Sequence, residues 1–222
     1  MKFENTEVFN FEGAIRGMRN PLESHKKSDS KWKSFYDEFG GHFDSTYEKF
    51  VIGKNDLGLM QKLIRAGSEH RKFLRQIFVS VDITAPLYWW KEFDTYKVGT
   101  VANSASTMHK LASTPITIDC FEYGEMIYQG TIAELEMNRL KYLETKDKKE
   151  WKKLIVNLPE SWLQKRTVTM NYENLLTMVK QRKNHKLTEW SIDFIGWARS
   201  LPYAQELIFI DELEKGYKNE SV

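Results

Sequence analysis

Polar and charged side chains that could bind a small anion occur at several points along the sequence. Asn103 and Ser106 lie three residues apart in a run of small and polar residues, where an amide and a hydroxyl could face one ligand. Arg182 and Lys97 could supply the positive charge that an anionic group needs when it leaves water. His70 could add a hydrogen bond through its imidazole ring. These residue types would suit a small anionic ligand.

Each of these residues also has a plainer structural interpretation. Most lysines and arginines are solvated surface charges, and a single histidine such as His70 is usually a surface residue. Asn103 and Ser106 could cap a helix that begins in this run, and Ser104 is the favoured cap. Asn171 stands directly before the helical pattern YENLLTMVKQR, which predicts an N-cap. Binding and capping roles therefore stay open at these positions.

Composition and charge limit the class of protein. The 222 residues are 41% hydrophobic and 14% aromatic, which predicts a packed core and a single domain over residues 1–222. The first 30 residues include the polar run ESHKKSDS, where we expect a loop and a mobile segment. Lys and Arg number 33 against 31 Asp and Glu, and a net charge of +2 argues against binding of a nucleic-acid polymer.

Targeting signals and cysteine chemistry are also limited by the sequence. No apolar run reaches the roughly 20 residues of a membrane span, and no apolar signal segment is present, so we expect a cytoplasmic protein without a membrane partner. Cys120 is the only cysteine, which excludes an internal disulfide, and its context TIDCFEY predicts a buried strand. His109 and His185 have no neighbours at metal-ligand spacing, so no metal site is predicted.

The elements that must position these residues begin with a helix and a strand. Residues 56–66 have the periodicity of a short amphipathic helix, and Gly67 stands where a helix end favours positive φ. Residues 77–83 alternate in polarity, which predicts a strand covered on one face, and Pro86 then begins a helix. The aromatic side chains of that helix could stack on a planar ligand, lie in the core or form a subunit interface, which we favour; they are Tyr88, Trp89, Trp90 and Phe93.

The second half of the chain is predicted to be mostly helical. Thr131 and Glu134 form a capping-box pattern at the start of one long helix that reaches about Lys153. A short strand is predicted over residues 167–170. Helices are then expected over residues 172–182, over residues 188–199, and from Pro202 to Gly216.

Three stretches in a fixed order, over roughly residues 67–190, carry a family resemblance. The first is Glu69-His70 followed by a strand and Pro86, the second is TYKVGTVANSASTMH, and the third is TMNYENLLTMVKQR followed by HKLTEW. In order and spacing they resemble the flavin-dependent thymidylate synthases, the ThyX family. That family has a Glu-His, strand, proline run, then Arg-His-Arg with Ser-x-Asn-x-x-Ser-x-Arg-Tyr, then an Asn-x-Arg-x-Leu-x-x-Phe-Leu-x-Leu-Arg helix and Ala-Gln-x-Glu.

The second and third stretches match the family only in part. Asn103 and Ser106 match its Asn and second Ser, whereas the Arg-His-Arg triplet is replaced by Tyr96-Lys97-Val98 or a near neighbour. Met108 and His109 replace Arg-Tyr. In the third stretch the matches are Asn171, Leu175 and Arg182, while Glu173 stands where the family has arginine.

The resemblance implies a fold and an activity. The expected fold is α+β, a mostly antiparallel sheet flanked by helices, in a homotetramer with active sites at subunit junctions. Family members bind FAD and dUMP, use methylenetetrahydrofolate as carbon donor and NADPH as reductant, and transfer a hydride from reduced flavin, so no catalytic cysteine is needed. The implied function is reductive methylation, or a related one-carbon modification, of dUMP or another pyrimidine nucleotide.

The resemblance also implies residue roles, although it identifies no catalytic residue. The implied cofactor-binding residues are His70, Lys97, Asn103 and Asn171, and the implied substrate-binding residues are Ser106 and Arg182. The lost arginines would weaken phosphate binding, and acids beside an anion site, at Glu92, Asp94 and Glu173, would repel phosphate. Two alternatives therefore stay open: a non-catalytic nucleotide-binding or structural oligomer, and an unrelated helical interaction protein.

Overall fold

The computed structural model of this chain describes residues 1–39 and 42–212. The strands are β1 (Lys2–Phe9), β2 (Lys31–Phe39), β3 (His42–Val51), β4 (Phe78–Pro86), β5 (Val101–Ser104) and β6 (Leu163–Asn171). The α-helices are α1 (Phe11–Arg19), α2 (Lys54–Arg65), α3 (Leu87–Phe93), α4 (Thr107–Lys110), α5 (Gln129–Thr145), α6 (Lys148–Asn157), α7 (Tyr172–Arg182), α8 (Ile195–Arg199) and α9 (Ala204–Leu207). A π-helix over Glu189–Phe194 leads into α8.

Two sheets are present in the described part of the chain. The larger has the strand order β1-β4-β6-β5, so β5 is an edge strand, and it pairs antiparallel with β6. The smaller sheet is the antiparallel hairpin of β2 and β3. This mixture of helices and antiparallel sheet confirms the predicted α+β class.

The chain divides into two compact units by its contacts. The first unit comprises Met1–Thr6 and Ser80–Thr169, and the second comprises Glu7–Val79 and the residues from Met170 to the end of the described chain. Strands β1, β4 and β6 each pass from one unit into the other. The single domain expected over residues 1–222 stays a prediction.

The first unit has an apolar core around its helices. The cluster consists of Leu111, Ile116, Phe121, Leu135, Leu154 and Trp162. In α3, Trp89 stacks on Phe93 at a centroid distance of 5.2 Å and meets Trp90 edge to face at 4.9 Å. These three rings are at most 2% exposed, so the interface role favoured from sequence is wrong for them and they are core residues.

One helix expected from the sequence is in fact two. Lys146 adopts a left-handed conformation with φ of 56°, and the Asp147 carboxylate then accepts a hydrogen bond from the Lys149 amide as the N-cap of α6. Helices α5 and α6 pack on each other, with Lys141 bridged to the buried Glu150 at 3.1 Å. Helix α5 begins at Gln129, so the expected capping box two residues later does not start it.

Among the remaining local predictions from the sequence, some are confirmed and others are wrong. Gly67 has φ of 108° after α2, and alternate residues of β4 are buried, as predicted. Cys120 lies in a 3-10 turn over Ile118–Cys120 and is half-buried, so the buried strand expected there is wrong. Neither β1 nor α1 was predicted. The proposed helix end at Gly216 lies outside the described residues, and none of the described helices has the length and hydropathy needed to cross a membrane.

A buried ion pair organises the second unit around α1 and α2. The Arg19 guanidinium donates to Asp56 at 2.6 Å, and the two side chains are 4% and 0% exposed. Asp56 also accepts hydrogen bonds from the hydroxyls of Ser28 and Ser30 and from the backbone amides of Asp29 and Ser30. Because Arg19 also donates to the backbone oxygens of Ser24 and Lys27, the pair fixes the segment between α1 and β2 onto α2.

We expect Asp56→Asn to lower the free energy of unfolding by about 3–5 kcal/mol at neutral pH, because it leaves the buried Arg19 without a counter-ion. Burial opposes ionisation of Asp56, but hydrogen bonds from Ser30, Ser28 and Arg19 outweigh it and lower its pKa. The contribution of a carboxylate with a lowered pKa is full above its unfolded pKa, and it is lost as pH falls through the folded pKa. Urea unfolding at several pH values measures both effects.

The matched control is Asp119→Asn, which neutralises an exposed carboxylate. This control should unfold as the parent does at every pH. A stability difference between the parent and Asp56→Asn that stays constant from pH 7 down to pH 2 would contradict the assignment.

Candidate functional site

The start of α7 is fixed by its own side chains. Asn171 Oδ1 accepts a hydrogen bond from the Asn174 amide at 3.0 Å, and Asn174 Oδ1 accepts from the Asn171 amide at 3.2 Å. This reciprocal capping box confirms the N-cap predicted for Asn171. Its cofactor-binding role stays a prediction, and the cap occupies one of its acceptors.

Two arginines meet Glu173, the second residue of α7. Arg71 Nε lies 3.2 Å from Glu173 Oε1, and Arg75 Nε donates to Oε2. We call these three residues the Glu173 cluster. Burial opposes ionisation of Glu173, but hydrogen bonds from Arg75 and Arg71 outweigh it and lower the pKa of the carboxyl. The position where the resembling family has arginine therefore carries an ionised acid that is paired twice.

His70 lies beside this cluster along the chain and is exposed. It lines a cleft of about 1030 Å³ in the second unit. The cleft is mostly basic, because Lys27, Lys62 and Lys72 line it with one acid, Glu69, while the charge of Arg19 is already paired with Asp56. A cleft of this size and charge can hold a large anionic ligand.

Arg182 ends α7 and lies on an aromatic face. Its guanidinium carbon is 4.7 Å from the ring centroid of Trp190, which is buried in the π-helix. A cation–π contact of this kind holds a guanidinium plane in one orientation. The substrate-binding role of Arg182 stays a prediction, but the sequence alone gave no sign of this partner.

In the first unit, the replaced triplet and the small-residue run lie in and before β5. Lys97 and Asn103 are exposed, and Asn103 pairs with Thr167 of β6 through the strand backbone. Ser106 caps α4, because its hydroxyl accepts from the His109 amide at 3.3 Å. The cap is thus Ser106, and Ser104, which was favoured from sequence, is a strand residue. Ligand-binding roles for Lys97, Asn103 and Ser106 stay predictions.

An arginine from β6 reaches the residues that follow α3. Arg166 donates to Asp94 at 2.7 Å and to Gln164 Oε1 at 3.0 Å, and its guanidinium lies 4.2 Å from the ring centroid of Trp90. We call these four residues the Arg166 cluster. Its arginine is only 13% exposed on its side chain and contacts Asp94, two residues before Tyr96. A strand has therefore brought a guanidinium to this segment.

Gln164 connects this cluster to the small-residue run. Its amide nitrogen donates to the Ala105 carbonyl at 2.9 Å and to the Thr107 hydroxyl at 3.2 Å. One side chain therefore holds the backbone just before α4 and the first residue of that helix. The Ala105 amide also donates to the Lys165 carbonyl, which continues the pairing beyond β5.

A second carboxylate of the first unit is strongly engaged. Asp82 of β4 accepts from the Thr167 hydroxyl at 2.6 Å and from the Asn5 amide at 3.0 Å, and it pairs with Lys165 at 3.1 Å. These hydrogen bonds lower the pKa of Asp82 to about 2. The carboxylate joins β1, β4 and β6 on one side of the sheet, and it is an acceptor that sequence reasoning missed.

The structure explains two of the three acids that the sequence left open. Glu173 pairs with Arg71 and Arg75, and Asp94 pairs with Arg166. One signal in the sequence could have suggested these partners. An acid at or near a position where the resembling family has arginine needs a cation from elsewhere in the chain. Within the described residues, no three His, Cys, Asp or Glu side chains meet so as to hold a metal ion.

Comparison with known proteins identifies the fold. No protein-family model and no curated protein matches this sequence. A flavin-dependent thymidylate synthase ThyX from Helicobacter pylori, solved with FAD and dUMP, aligns with a TM-score of 0.67 at 16% identity over 95% of this chain and 99% of its own. A second structure of the Helicobacter pylori enzyme with FAD and dUMP has a TM-score of 0.64 at 16% identity, over 92% and 95%.

A third solved structure is that of a methylase and has a lower TM-score. The UMP/dUMP methylase PolB from Streptomyces cacaoi, bound with 5-Br dUMP, aligns with a TM-score of 0.55 at 12% identity, over 94% of this chain and 95% of its own. The likeness extends over nearly the whole chain in all three cases. The chain therefore has a ThyX-like fold, as the resemblance implied.

We expect Gln164→Ala to loosen the segment before α4, because it removes two hydrogen bonds to Ala105 and Thr107. At about 0.5–1.5 kcal/mol for each bond, amide hydrogen exchange of residues 105–111 should become roughly tenfold faster. Hydrogen-exchange mass spectrometry of peptides from this segment measures the change. Gln129→Ala, at the exposed start of α5, is the control. Unchanged exchange in Gln164→Ala would contradict the role of this side chain.

Proposed function

We propose that this chain binds dUMP or a related pyrimidine nucleotide and catalyses its reductive methylation or a related one-carbon modification. The observation that carries the proposal is the contact between Arg71 and Glu173. It joins the segment of His70 to the start of α7, two of the three stretches that resemble the ThyX family. These two residues are 102 positions apart in the chain. Their contact brings the two stretches together, which a coincidental resemblance would not explain.

The solved structures of the same fold support the choice of ligand. Those of the Helicobacter pylori enzyme hold dUMP, and that of the Streptomyces cacaoi methylase holds 5-Br dUMP. A thymidylate synthase and a UMP/dUMP methylase thus have this fold, and each holds a pyrimidine nucleotide. Because a fold does not determine an activity, the charged residues of this chain must also support nucleotide binding.

The distribution of arginines supports phosphate binding. The Glu173 cluster has two guanidiniums and one carboxylate, and so a net charge of +1, the same as the single arginine that the family has at this position. Arg182 adds a third oriented guanidinium in the same unit. Arginines keep their charge at any relevant pH and present a planar fork to phosphate oxygens.

The residues present fit a flavin in part. His70 lines a basic cleft large enough for FAD, and Lys97 and Asn103 are exposed donors, whereas Asn171 is engaged in its cap. When bound, flavin supplies the hydride-transfer chemistry that side chains lack. In this proposal NADPH and methylenetetrahydrofolate are co-substrates. The side chains of this chain would bind and orient these molecules.

A non-catalytic nucleotide-binding protein is the second candidate. It is favoured by the triplet segment, where Arg166 is paired with Asp94 and the nearby Lys97 is exposed. This segment has less positive charge than three residues Arg-His-Arg would supply. Under this candidate the pyrimidine nucleotide still binds, but flavin does not.

Assembly and location complete the proposal. We place the protein in the cytoplasm as a homotetramer. The exposed apolar side chains of the first unit support contacts with further copies; they include Met126, Tyr128, Met137, Leu140 and Val156.

The visible absorbance spectrum separates the two candidates. Purified protein, incubated with FAD and desalted, should keep the absorbance bands of flavin if the first candidate is right. Addition of dUMP should then permit NADPH oxidation that is absent without the nucleotide. A colourless protein that still binds dUMP in calorimetry would support the second candidate and end the flavoenzyme proposal.

Nucleotide affinity tests the part that both candidates share. We expect Arg182→Ala to weaken dUMP binding about 10- to 100-fold, because it removes a charge-assisted contact to phosphate. The matched control is Lys180→Ala, which removes an exposed cation from the same helix. Isothermal titration calorimetry measures both. If the parent and Arg182→Ala show equal, negligible affinity for dUMP, both candidates fail.

A further inference from the structure

Arg71 and Arg75 are held to Glu173 by only one nitrogen each. In both arginines the contact to the carboxylate runs through Nε. Among residues 1–39 and 42–212, neither arginine forms a hydrogen bond through its Nη atoms. The ends of both guanidiniums, which carry most of their N–H donors, are therefore available to a ligand.

The position of the cluster limits its motion. The Glu173 side chain is 14% exposed and the Arg71 side chain 21%, while that of Arg75 is 52% exposed. The turn Lys72–Gln76, which carries Arg75, packs against α7. Because one carboxylate takes an Nε from each arginine, it sets the distance between the two guanidiniums and reduces their mutual repulsion.

We infer that Arg71 and Arg75 form a binding site for a phosphate group, and that Glu173 is its positioning residue. Two guanidiniums with their Nη ends available match the several oxygens of a phosphate, and the net charge of the cluster is +1. The amides of α7 contribute less, because Asn171 already satisfies that of Asn174. The inference deepens the proposed function and rests on it, since the phosphate belongs to the bound nucleotide.

Two further titratable residues, Glu69 and His70, lie near the cluster along the chain. Glu69 acts on Arg75 electrostatically, but it is exposed and paired with Lys72 at 3.6 Å. His70, next to Arg71 in the chain, is exposed and adds a polar group on the same segment. The balance of these charges stays favourable to an anion.

The phosphate could come from the substrate or from the cofactor, and matched ligand pairs distinguish them. Affinities of the parent, Arg71→Gln and Arg75→Gln are measured for dUMP against deoxyuridine and for FAD against riboflavin. We expect each substitution to weaken the phosphorylated member of one pair about 10- to 100-fold and to leave the other member unchanged. A loss for dUMP assigns the site to the substrate, and a loss for FAD assigns it to the cofactor.

Control variants distinguish a loss of phosphate binding from a general loss of charge or structure. Lys180→Gln removes a cation from the far end of α7 and should bind as the parent does. Arg71→Lys keeps the charge but loses the planar fork, so its affinity should lie between those of the parent and Arg71→Gln. Near-ultraviolet circular dichroism verifies the fold, and the half-exposed Arg75 can be replaced with little structural cost. Parental affinity in Arg71→Gln and Arg75→Gln overturns the inference.

A separate probe covers failure of the proposed function. If the parent binds none of the four ligands, thermal unfolding is measured with and without inorganic pyrophosphate. A rise in melting temperature for the parent that Arg71→Gln and Arg75→Gln lack supports an anion site without nucleotide chemistry. The absence of any rise in the parent overturns the inference together with the proposed function.

Discussion

A guanidinium group that leaves water needs a carboxylate and further acceptors, and this constraint governs both units of the chain. In the second unit Arg19 and Asp56 are almost fully buried against each other. In the first unit Arg139 forms two hydrogen bonds with Glu136 and a third with the Ala112 carbonyl. Each pair fastens a loop to a helix, so ion pairing here determines the path of the backbone.

The same constraint accounts for two acids in or near the stretches that resemble the ThyX family. Glu173 and Asp94 each have an arginine partner from another element. Glu173 receives Arg71 and Arg75, and Asp94 receives Arg166. These pairings place guanidiniums at the start of α7 and beside the segment that follows α3.

Sequence patterns predicted the structure correctly where interactions between neighbouring residues determine it. The alternation in β4, the positive φ of Gly67 and the cap at Asn171 follow from residues within one or two turns. The break between α5 and α6 was missed because a left-handed lysine gives a weaker signal than glycine, although Asp147 could have marked the new start.

Site geometry was less predictable, because it depends on distant partners. Arg166 is 72 residues from Asp94, and no periodicity links the two. Burial of Trp89 and Trp90 likewise depends on how β4 and α3 pack, and a one-dimensional aromatic pattern cannot separate a core from an interface.

The interleaved order of the two units has a consequence for synthesis on the ribosome. The first unit has all its residues once Thr169 has been added, whereas the second needs the chain from Met170 onward. At 5–20 residues per second, Arg71 waits roughly 5–20 s for Glu173, which is 102 positions later. Arg71 and Arg75 therefore acquire their carboxylate only after the start of α7 has been synthesised, and the Glu173 cluster cannot form in a shorter nascent chain.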